Sequence, residues 1–575
     1  MREMKRNTLL SLVMAVVLVS LTTACKKDQD VVTLKATIEN FRGTNSKVYI
    51  NDNLYAVWEA GDAVGINGQL NLAVASGDDY TISGVNNVAT YYAFYPANYV
   101  SDRQTAAVAG TTNILMPVNQ TYTFADGVQH VKTPMVASYS ASSADAPATL
   151  AFRNVANLLK LEVPALNGYA ITFIEVKSNN SPLSGEFTVS SGISTLSNGD
   201  GVSMAPTSGG TTSQVVGLDC WNNAQGYASG TFYVVLPPVS NSKLTISVYM
   251  QSTADHKVYK YSKQSTSAVT VTRNTILPAS FDFNVSGVTS AQVYEYPDHT
   301  SVGIFHVSAT KNVRFTKGNL YNTVGDNIFG SWHMEAEQYE YRTYQGYRDY
   351  YGGYAHMQST ENHFGLFRLS TNATGNKFGM YLGDGDECLG DFVDWGMNSI
   401  DNNESNYFRT LTIQEWDYLI THHAYAIGRC SGGGLASIRA YGFFLFPNGA
   451  PSNIRNVNKP GISYLNQAVP EQGVYNDNQI TNLSVWSSIE QTGCIYLPAL
   501  GHGFISNGSL KPTDNSQTGH YWSSTLETLG SVSLDPGDDN PDPTKSYRFY
   551  WYYTHVCPMN FDPRSFGRCV RLVVD

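Results

Sequence analysis

Four carboxylates fall within one turn-rich stretch, Asp535-Pro536-Gly537-Asp538-Asp539-Asn540-Pro541-Asp542. Calcium takes about six to eight oxygen ligands at about 2.3–2.6 Å, and carboxylates clustered on one loop suit it. Asp535, Asp538, Asp539 and Asp542 are therefore the candidate Ca2+ ligands, against the alternative of a solvated acidic insertion. A second run, Asp384-Gly385-Asp386-Glu387, departs from an EF-hand loop, because Cys388 and Leu389 stand where the next ligand and the glycine belong. The histidines form no HExxH pair, and the adjacent His422 and His423 would point apart on a helix. No G-x-S-x-G elbow or P-loop occurs, and Gly432-Gly433-Gly434 lacks the following Lys-Ser/Thr that phosphate binding needs. The residues thus point away from an enzyme. Aromatic rings are the other candidate chemistry, because Tyr and Trp stack on sugar faces and dominate interfaces. Tyr350, Tyr351, Tyr354, Trp551, Tyr552 and Tyr553 are the candidate ligand-binding residues, with core packing as the alternative.

The N-terminus carries chemistry of a different kind. Arg2, Lys5 and Arg6 precede an apolar run from Leu9 to Leu21 that ends at small residues before Cys25. That order is a secretory signal, here residues 1–24, and the run is too short to span a membrane, which takes about 20 apolar residues. Thr22-Thr23-Ala24-Cys25 resembles a lipobox, in which the cysteine is acylated and becomes the new N-terminus. Thr22 stands where a branched aliphatic is usual, which leaves ordinary cleavage after Ala24 as the alternative. Lipidation at Cys25 would anchor the chain in the outer membrane, with all that follows exposed at the cell surface. Export permits disulfides among Cys220, Cys388, Cys430, Cys494, Cys557 and Cys569, but no CxxC pair exists and at least one thiol is expected to be buried and inert.

These residues must be held by β-structure. The 575-residue chain is too long for one core, and 12% aromatic residues with 49 glycines describe several turn-rich β units. Charged residues make up 14%, and the net charge of −11 is spread without a basic patch, which excludes nucleic acid as a natural partner. From Val31, the residues Val32, Leu34, Ala36 and Ile38 alternate with Thr33, Lys35, Thr37 and Glu39, the pattern of a half-buried strand. Further strands are predicted at Thr90–Phe94, Leu158–Val163, Thr231–Leu236 and Lys243–Tyr249, without helical crossovers between them, so antiparallel β-sandwiches are expected. Domains are placed at 25–157 and 158–285, followed by a Ser/Gly/Pro-containing linker at 286–301 and a more aromatic domain at 302–575. Within the last, Thr412 and Glu415 form a capping box for a helix whose apolar face is Trp416, Leu419 and Ile420. A strand is expected at the C-terminus, within Gly567 to Val574.

The first half resembles the fimbrillin-like proteins, subunits and accessory lipoproteins of type V pili. The resemblance lies in Trp58-Glu59-Ala60-Gly61-Asp62-Ala63-Val64, a W-x-x-G-D-x-V segment, followed in order by Tyr92 to Pro96, Phe152 to Val155, Leu183 to Phe187, Phe232 to Pro238 and Arg273-Asn274. It implies two transthyretin-like β-sandwiches and assembly by donor-strand exchange with other fimbrial subunits. In that scheme an N-terminal strand is cut away, and Arg42 is where the cut could fall. Losing Val31 to Phe41 would uncover an apolar groove and an unpaired sheet edge. An arginine in an ordinary turn is the alternative.

The second half resembles a bacterial C-type-lectin-like domain, akin to the major-paralogue and formylglycine-generating-enzyme-like families. The matching segments are Val313 to Leu320, Phe408 to Trp416, Tyr521 to Thr525 and Gly567 to Val574. The resemblance implies an α+β fold with the terminal strand paired near the domain's start. The calcium-sugar loops of such lectins are not reproduced: Phe446-Pro447-Asn448 lacks an acidic or amide residue before proline, and Trp522-Ser523-Ser524 lacks the carboxamide and carboxylate. Copper-binding cysteines of the superfamily's oxidases have no defensible counterpart in Cys557 and Cys569, for which a disulfide or a buried thiol is the plainer reading. Together the halves describe a fimbrial tip or accessory adhesin whose C-terminal domain meets a host or bacterial surface glycan or protein. The other reading is a surface lipoprotein that binds such a ligand without polymerising.

Overall fold

A computed structural model describes the chain from Val31 to Asp575 apart from residues 40–57, 100–110, 141–148, 191–201, 339–362, 368–391, 431–440, 449–460, 481–486 and 527–544, and some stretches of four residues or fewer. The described chain is mainly β. It forms two compact units, one from residues 1–114, 132–156 and 187–205, the other from 115–131, 157–186 and 206–575. Both are discontinuous in sequence, unlike the contiguous ranges 25–157, 158–285 and 302–575.

In the first unit, seven strands pair in a closed order, so the two layers of a sandwich are joined at both edges. The first strand, Val31–Ile38, lies inside this order. It runs parallel to Thr149–Asn154, with Ala36 opposite Leu150, and antiparallel to Tyr80–Asn86, with Leu34 opposite Ile82. Its alternation is realised: Leu34 and Ala36 are buried, while Thr33, Lys35 and Thr37 face water. Trp58 sits edge-on to both Tyr95 (5.1 Å) and Phe152 (5.0 Å), and the Tyr95 hydroxyl donates to Asp62 Oδ1 at 2.7 Å. Landmarks far apart in the first half of the sequence therefore meet in one core with Val64 and Ile66. The tight turn between Ala63–Ile66 and Gln69–Ala75 uses Asn67 (φ 46°) and Gly68 (φ 84°), the residue types that tolerate left-handed backbone in a two-residue hairpin.

In the second unit a six-stranded sheet faces a three-stranded one. The larger runs in the order Thr289–Val293, Val258–Gln264, Leu244–Ser252, Tyr169–Ser178, Val215–Asp219, Asn119–Thr121; the smaller in the order Gly230–Leu236, Asn157–Val163, Ile276–Ser280. Leu159, Leu161, Ile174, Val176, Phe232, Val234, Val248 and Met250 fill the space between. The Gly230–Leu236 edge is closed by side chains. Gln120 donates to Val235 O (2.8 Å) and accepts from Val235 N (2.9 Å), and Gln129 does the same for Tyr233 (2.9 and 2.7 Å). Two amide groups thereby stand where a further strand would pair.

The segment 286–301 is not the linker its composition suggests. Thr289–Val293 is a strand paired with Val258–Gln264, and Tyr296, Asp298, Thr300 and Ser301 are buried. Its polar residues satisfy one another, with Thr300 donating to Asp298 Oδ1 from both its N–H (3.0 Å) and its hydroxyl (2.6 Å).

The C-terminal part of this unit is organised by its last strand, Leu572–Val574, which pairs with Asn312–Phe315 on one side and Arg409–Thr410 on the other. The helix α1, Ile413–His422, begins with the complete capping box of Thr412 and Glu415. It buries Ile413, Trp416, Leu419 and Ile420, with the Trp416 ring stacked on Phe549 at 4.6 Å.

Candidate functional site

A cleft of about 760 Å3 opens within the second unit, inside the roughly 300–1,000 Å3 range of sites that enclose a small ligand. One wall belongs to the six-stranded sheet: Tyr169 at the start of its strand, the turn from Gln251 to Val258, and Gln292 with Val293. The other is made of loop segments, Val302 to Ile304, Pro447-Asn448 and Gln491-Thr492. The sequence positions that compose it span more than three hundred residues.

The loop wall is built from close backbone contacts. Gly303 lies so near the Gly493 carbonyl that a Cβ at either glycine would collide with the other loop. Asn448 N donates to Ile304 O at 2.9 Å, and the buried His423 reaches two carbonyls through its ring nitrogens, Phe446 O at 3.1 Å and His306 O at 3.0 Å. Burial holds the His423 pKa below the ordinary imidazole value, and burial likewise lowers His306 on the cleft wall. The two adjacent histidines diverge: His422 instead stacks on Tyr418 at 3.7 Å and contacts Tyr418 O through Nδ1.

The cleft floor rests on a buried ionic cluster. Val258 and Val302 pack with Tyr296, and the Arg314 guanidinium lies over the Tyr296 ring at 4.5 Å. Arg314 Nη2 donates to Asp219 Oδ2 (2.6 Å) and Asp298 Oδ2 (3.3 Å), while the Tyr407 hydroxyl donates to the same two oxygens (3.2 and 2.8 Å). One guanidinium cannot neutralise two carboxylates. Burial, partly offset by Arg314, pushes Asp219 up to about 6. Arg314 itself is held charged, its pKa raised because the two carboxylates outweigh the burial that works to lower it. The cluster has the character of a structural lock rather than of a catalytic dyad, because it is closed to solvent and presents no face to the cleft's interior.

At the cleft mouth Asp255 and Lys257 pair at 3.5 Å. The Ser252 hydroxyl, then the Lys257 backbone and ammonium, hold the Asp255 carboxyl below its usual range.

Cys25, Arg42, the acidic positions Asp535, Asp538, Asp539 and Asp542, and Tyr350, Tyr351, Tyr354 and Tyr553 lie outside the described residues. Trp551 requires a correction. It is fully buried with Phe443 and Phe549 in the C-terminal core, because Tyr547, Phe549 and Trp551 alternate onto the inner face of their strand. A ligand cannot reach it. Tyr552, on the opposite face, is half-buried and not among the residues that line the cleft. Cys220, Cys494, Cys557 and Cys569 are buried, and burial raises Cys569 to about 12, which leaves it protonated and inert. Among the described residues no group of His, Cys, Asp and Glu is placed to hold a metal ion.

No protein-family model matches the chain, and no curated protein matches it. Two crystal structures are similar to 46% of it: a candidate cell adhesion protein from Bacteroides ovatus (15% identity, 97% of that chain, TM-score 0.29) and another from Bacteroides thetaiotaomicron (12% identity, 98% of that chain, TM-score 0.20).

Proposed function

We propose that this chain is an exported surface adhesion protein, carried to the outer membrane as a lipoprotein acylated at Cys25, and that it serves as a tip or accessory subunit of a fimbrillin-like pilus. The observation that carries the reading is the first strand. It is central to a closed sheet, yet its contribution is generic: an apolar face of Leu34 and Ala36, and ladder bonds to two neighbours. A strand from another subunit with the same alternation could take that place once a cut at Arg42 released the original.

The last strand supports the tip position. Leu572–Val574 is paired on both sides and so is not free to be donated onward. The C-terminal, lectin-like half would then help meet a glycan or protein, and the candidate site is the cleft that its loops form with the six-stranded sheet. A non-polymerising surface lipoprotein is the second reading. It is favoured by the first strand's presence in its groove, where it is fully paired.

N-terminal sequencing and intact mass of the native protein, taken separately from cell-bound and sheared-filament fractions, test the two. A filament form beginning at Gly43 supports strand exchange. A single acylated form beginning at Cys25 and absent from filaments rejects it in favour of the stationary lipoprotein.

A further inference from the structure

We infer that the outer edge of Thr289–Val293 is a docking strand, which takes an extended, uncharged segment of another protein as a further strand of the six-stranded sheet. The inference goes beyond the adhesion reading. It is also separate from exchange at the first strand, because nothing has to be cut or displaced.

The first argument is the way this sandwich treats its edges. An edge strand presents unpaired N–H and C=O groups at alternate residues, and folded proteins blunt it with proline, charge, shortness or a covering segment. Gly230–Leu236 is covered by Gln120 and Gln129. On Ile276–Ser280, Leu158 N donates to Thr275 O (3.0 Å) and Phe281 N to Glu162 O (2.9 Å), so odd-numbered residues face Asn157–Val163 and the exposed Pro278 faces outward. Asn119–Thr121 is short and meets the C-terminal part, with Val118 N donating to Asn402 O (3.0 Å) and the Asn119 amide to Asn403 Oδ1 (2.8 Å). Thr289–Val293 has none of these devices. It carries no charge, proline or glycine, it pairs with Val258–Gln264 without a bulge, and Thr289, Ser290 and Ala291 are exposed. Among the described residues no strand lies on its outer side.

The second argument is the cleft at the end of that edge. Beyond Val293 the chain folds back, with Glu295 bridging Ser301 and Val302 N donating to Tyr294 O at 3.4 Å. After Val302 the returning chain packs against Gly493 instead, so the space beside Gln292 and Val293 stays open to the cleft. A strand added along Thr289–Val293 therefore continues a pairing already begun, and its end reaches an apolar floor of Val258, Val293 and Val302. Charge selects an uncharged segment. Asp255 and Lys257 pair at 3.5 Å, Lys260 behind the edge is held by Glu175 at 2.7 Å, and the other ionisable side chains on the cleft wall, Tyr169, His256 and His306, carry no permanent charge. The occupant is a single chain rather than the sheet of a second copy, because the loops at Ile304, Asn448 and Gln491 stand across a cleft of about 760 Å3, too small for a folded partner.

The test selects binders to the full mature chain from a displayed random library of short linear peptides, and titrates the enriched sequences as synthetic peptides by calorimetry. Ser290→Pro and Ala291→Pro are compared. One of the two nitrogens faces outward and its loss removes only a docking bond, whereas the other faces Val258–Gln264 and its loss lowers the melting temperature, so the variant that keeps its melting temperature is the one read. The double change Ser290→Lys, Ala291→Lys, at two exposed side chains, places charge on both faces of the edge and serves if neither proline is tolerated. The expected result is enrichment of uncharged sequences with alternating apolar residues. Their binding should weaken about tenfold or more in the edge variant, and equally when the peptide is N-methylated at alternate residues, because a buried carbonyl loses its donor. Hydrogen exchange at Thr289–Val293 should slow when they bind. No enrichment, enrichment of charged sequences, or binding that the edge variants leave intact would overturn the inference. Sedimentation velocity covers the other occupant: a wild-type dimer that the edge variant turns into a monomer would mean that the edge pairs with a second copy, and the single-chain partner would be wrong.

Discussion

The strand that opens the first unit and the strand that closes the second are held in place by different physics. Val31–Ile38 contributes apolar area and ladder bonds, and among the described residues its unit buries no charged side chain at all. Leu572–Val574 is preceded by Arg571, which is fully buried. Its guanidinium donates to the carbonyls of Thr316 (3.1 Å), Lys317, Gln338 (3.3 Å) and Tyr496 (3.0 Å) and to Asn319 Oδ1 (2.9 Å). The same unit buries Arg314, Asp219 and Asp298. Apolar burial is non-directional and accepts any side chain of suitable volume, whereas a buried guanidinium accepts only the acceptors arranged around it. The first strand is therefore held by generic contacts, and the last is keyed to its place.

The largest expected effects break the keyed strand. Burial lowers Arg571 only to about 10, so it is charged at neutral pH. Arg571→Met would leave several buried carbonyls without a donor, at about 1–3 kcal/mol for each one not rescued by water, and is expected to prevent the C-terminal part from folding stably. Arg571→Lys should rescue little, because an ammonium cannot span carbonyls that the planar fork reaches together. Arg314→Met is expected to cost about 3–5 kcal/mol, since it strands two carboxylates in the interior. The triple change Arg314→Met, Asp219→Asn, Asp298→Asn should recover most of that loss. Urea unfolding of the four proteins checks this, and a triple variant no better than the single one would mean that packing, not charge, holds the site.

The first strand should respond in the opposite manner. Leu34 is almost wholly buried, so Leu34→Ala should cost about 2–5 kcal/mol, yet the volume-conserving Leu34→Ile should cost less than about 1.5 kcal/mol. Hydrogen exchange in the partner strands Tyr80–Asn86 and Thr149–Asn154 reports the loss locally. Equal damage from both substitutions would show that this strand is as specifically keyed as the last one, and strand exchange would lose its physical basis.

These two strands also mark what was legible in the sequence. The period-two alternation from Val31 is a local signal, and so is the Thr412–Glu415 capping box, and both elements form where they are predicted. The cleft left no such trace. Tyr169, Gln292, Asn448 and Gln491 belong to segments brought together only by tertiary pairing, and Phe446-Pro447-Asn448 was notable in the sequence only as an imperfect calcium loop. Asp298 and Thr300 read as linker residues because their polarity is visible in the sequence while Arg314 and Asp219, which account for it, are remote. Trp551 was misread for the converse reason: an aromatic strand has the same composition whether its rings face a ligand or a core.

A smaller effect separates the units by pH. Asp219 binds its proton at about 6 in the fold, raised mainly by burial, against 3.8 for the ordinary carboxyl. Between those values the folded state holds more protons than the unfolded chain, so this group's contribution to stability is fully present below the lower value and is lost as pH rises through about 6. Asp562, raised to about 6 by burial against the pull of Arg548, acts in the same direction. Melting of the wild type from pH 7 to pH 4.5 should therefore show the second unit gaining from these sites. Asp219→Asn should flatten part of the slope, and an unchanged slope would remove the ionic cluster from the account.

The smallest effect tests whether the keyed strand extends its hold into the helix. Replacing the cap, Thr412→Ala, removes one side-chain acceptor from Glu415 N and should cost about 1 kcal/mol, as an ordinary cap does. Glu415 has a second allegiance: its carboxylate accepts from Thr412 N (2.8 Å) and from both Nη atoms of Arg409 (2.7 and 2.8 Å), and Arg409 Nε reaches Asp575 at 2.5 Å. The helix start and the residue after the last strand thus share one arginine. If that chain of contacts transmits stability, Glu415→Gln and Asp575→Asn should be non-additive by about 0.5 kcal/mol or more in a double-mutant cycle, while Thr412→Ala and Asp575→Asn should add. Additivity in both cycles would confine the keyed interactions to Arg571 and leave α1 to be held by its apolar face alone.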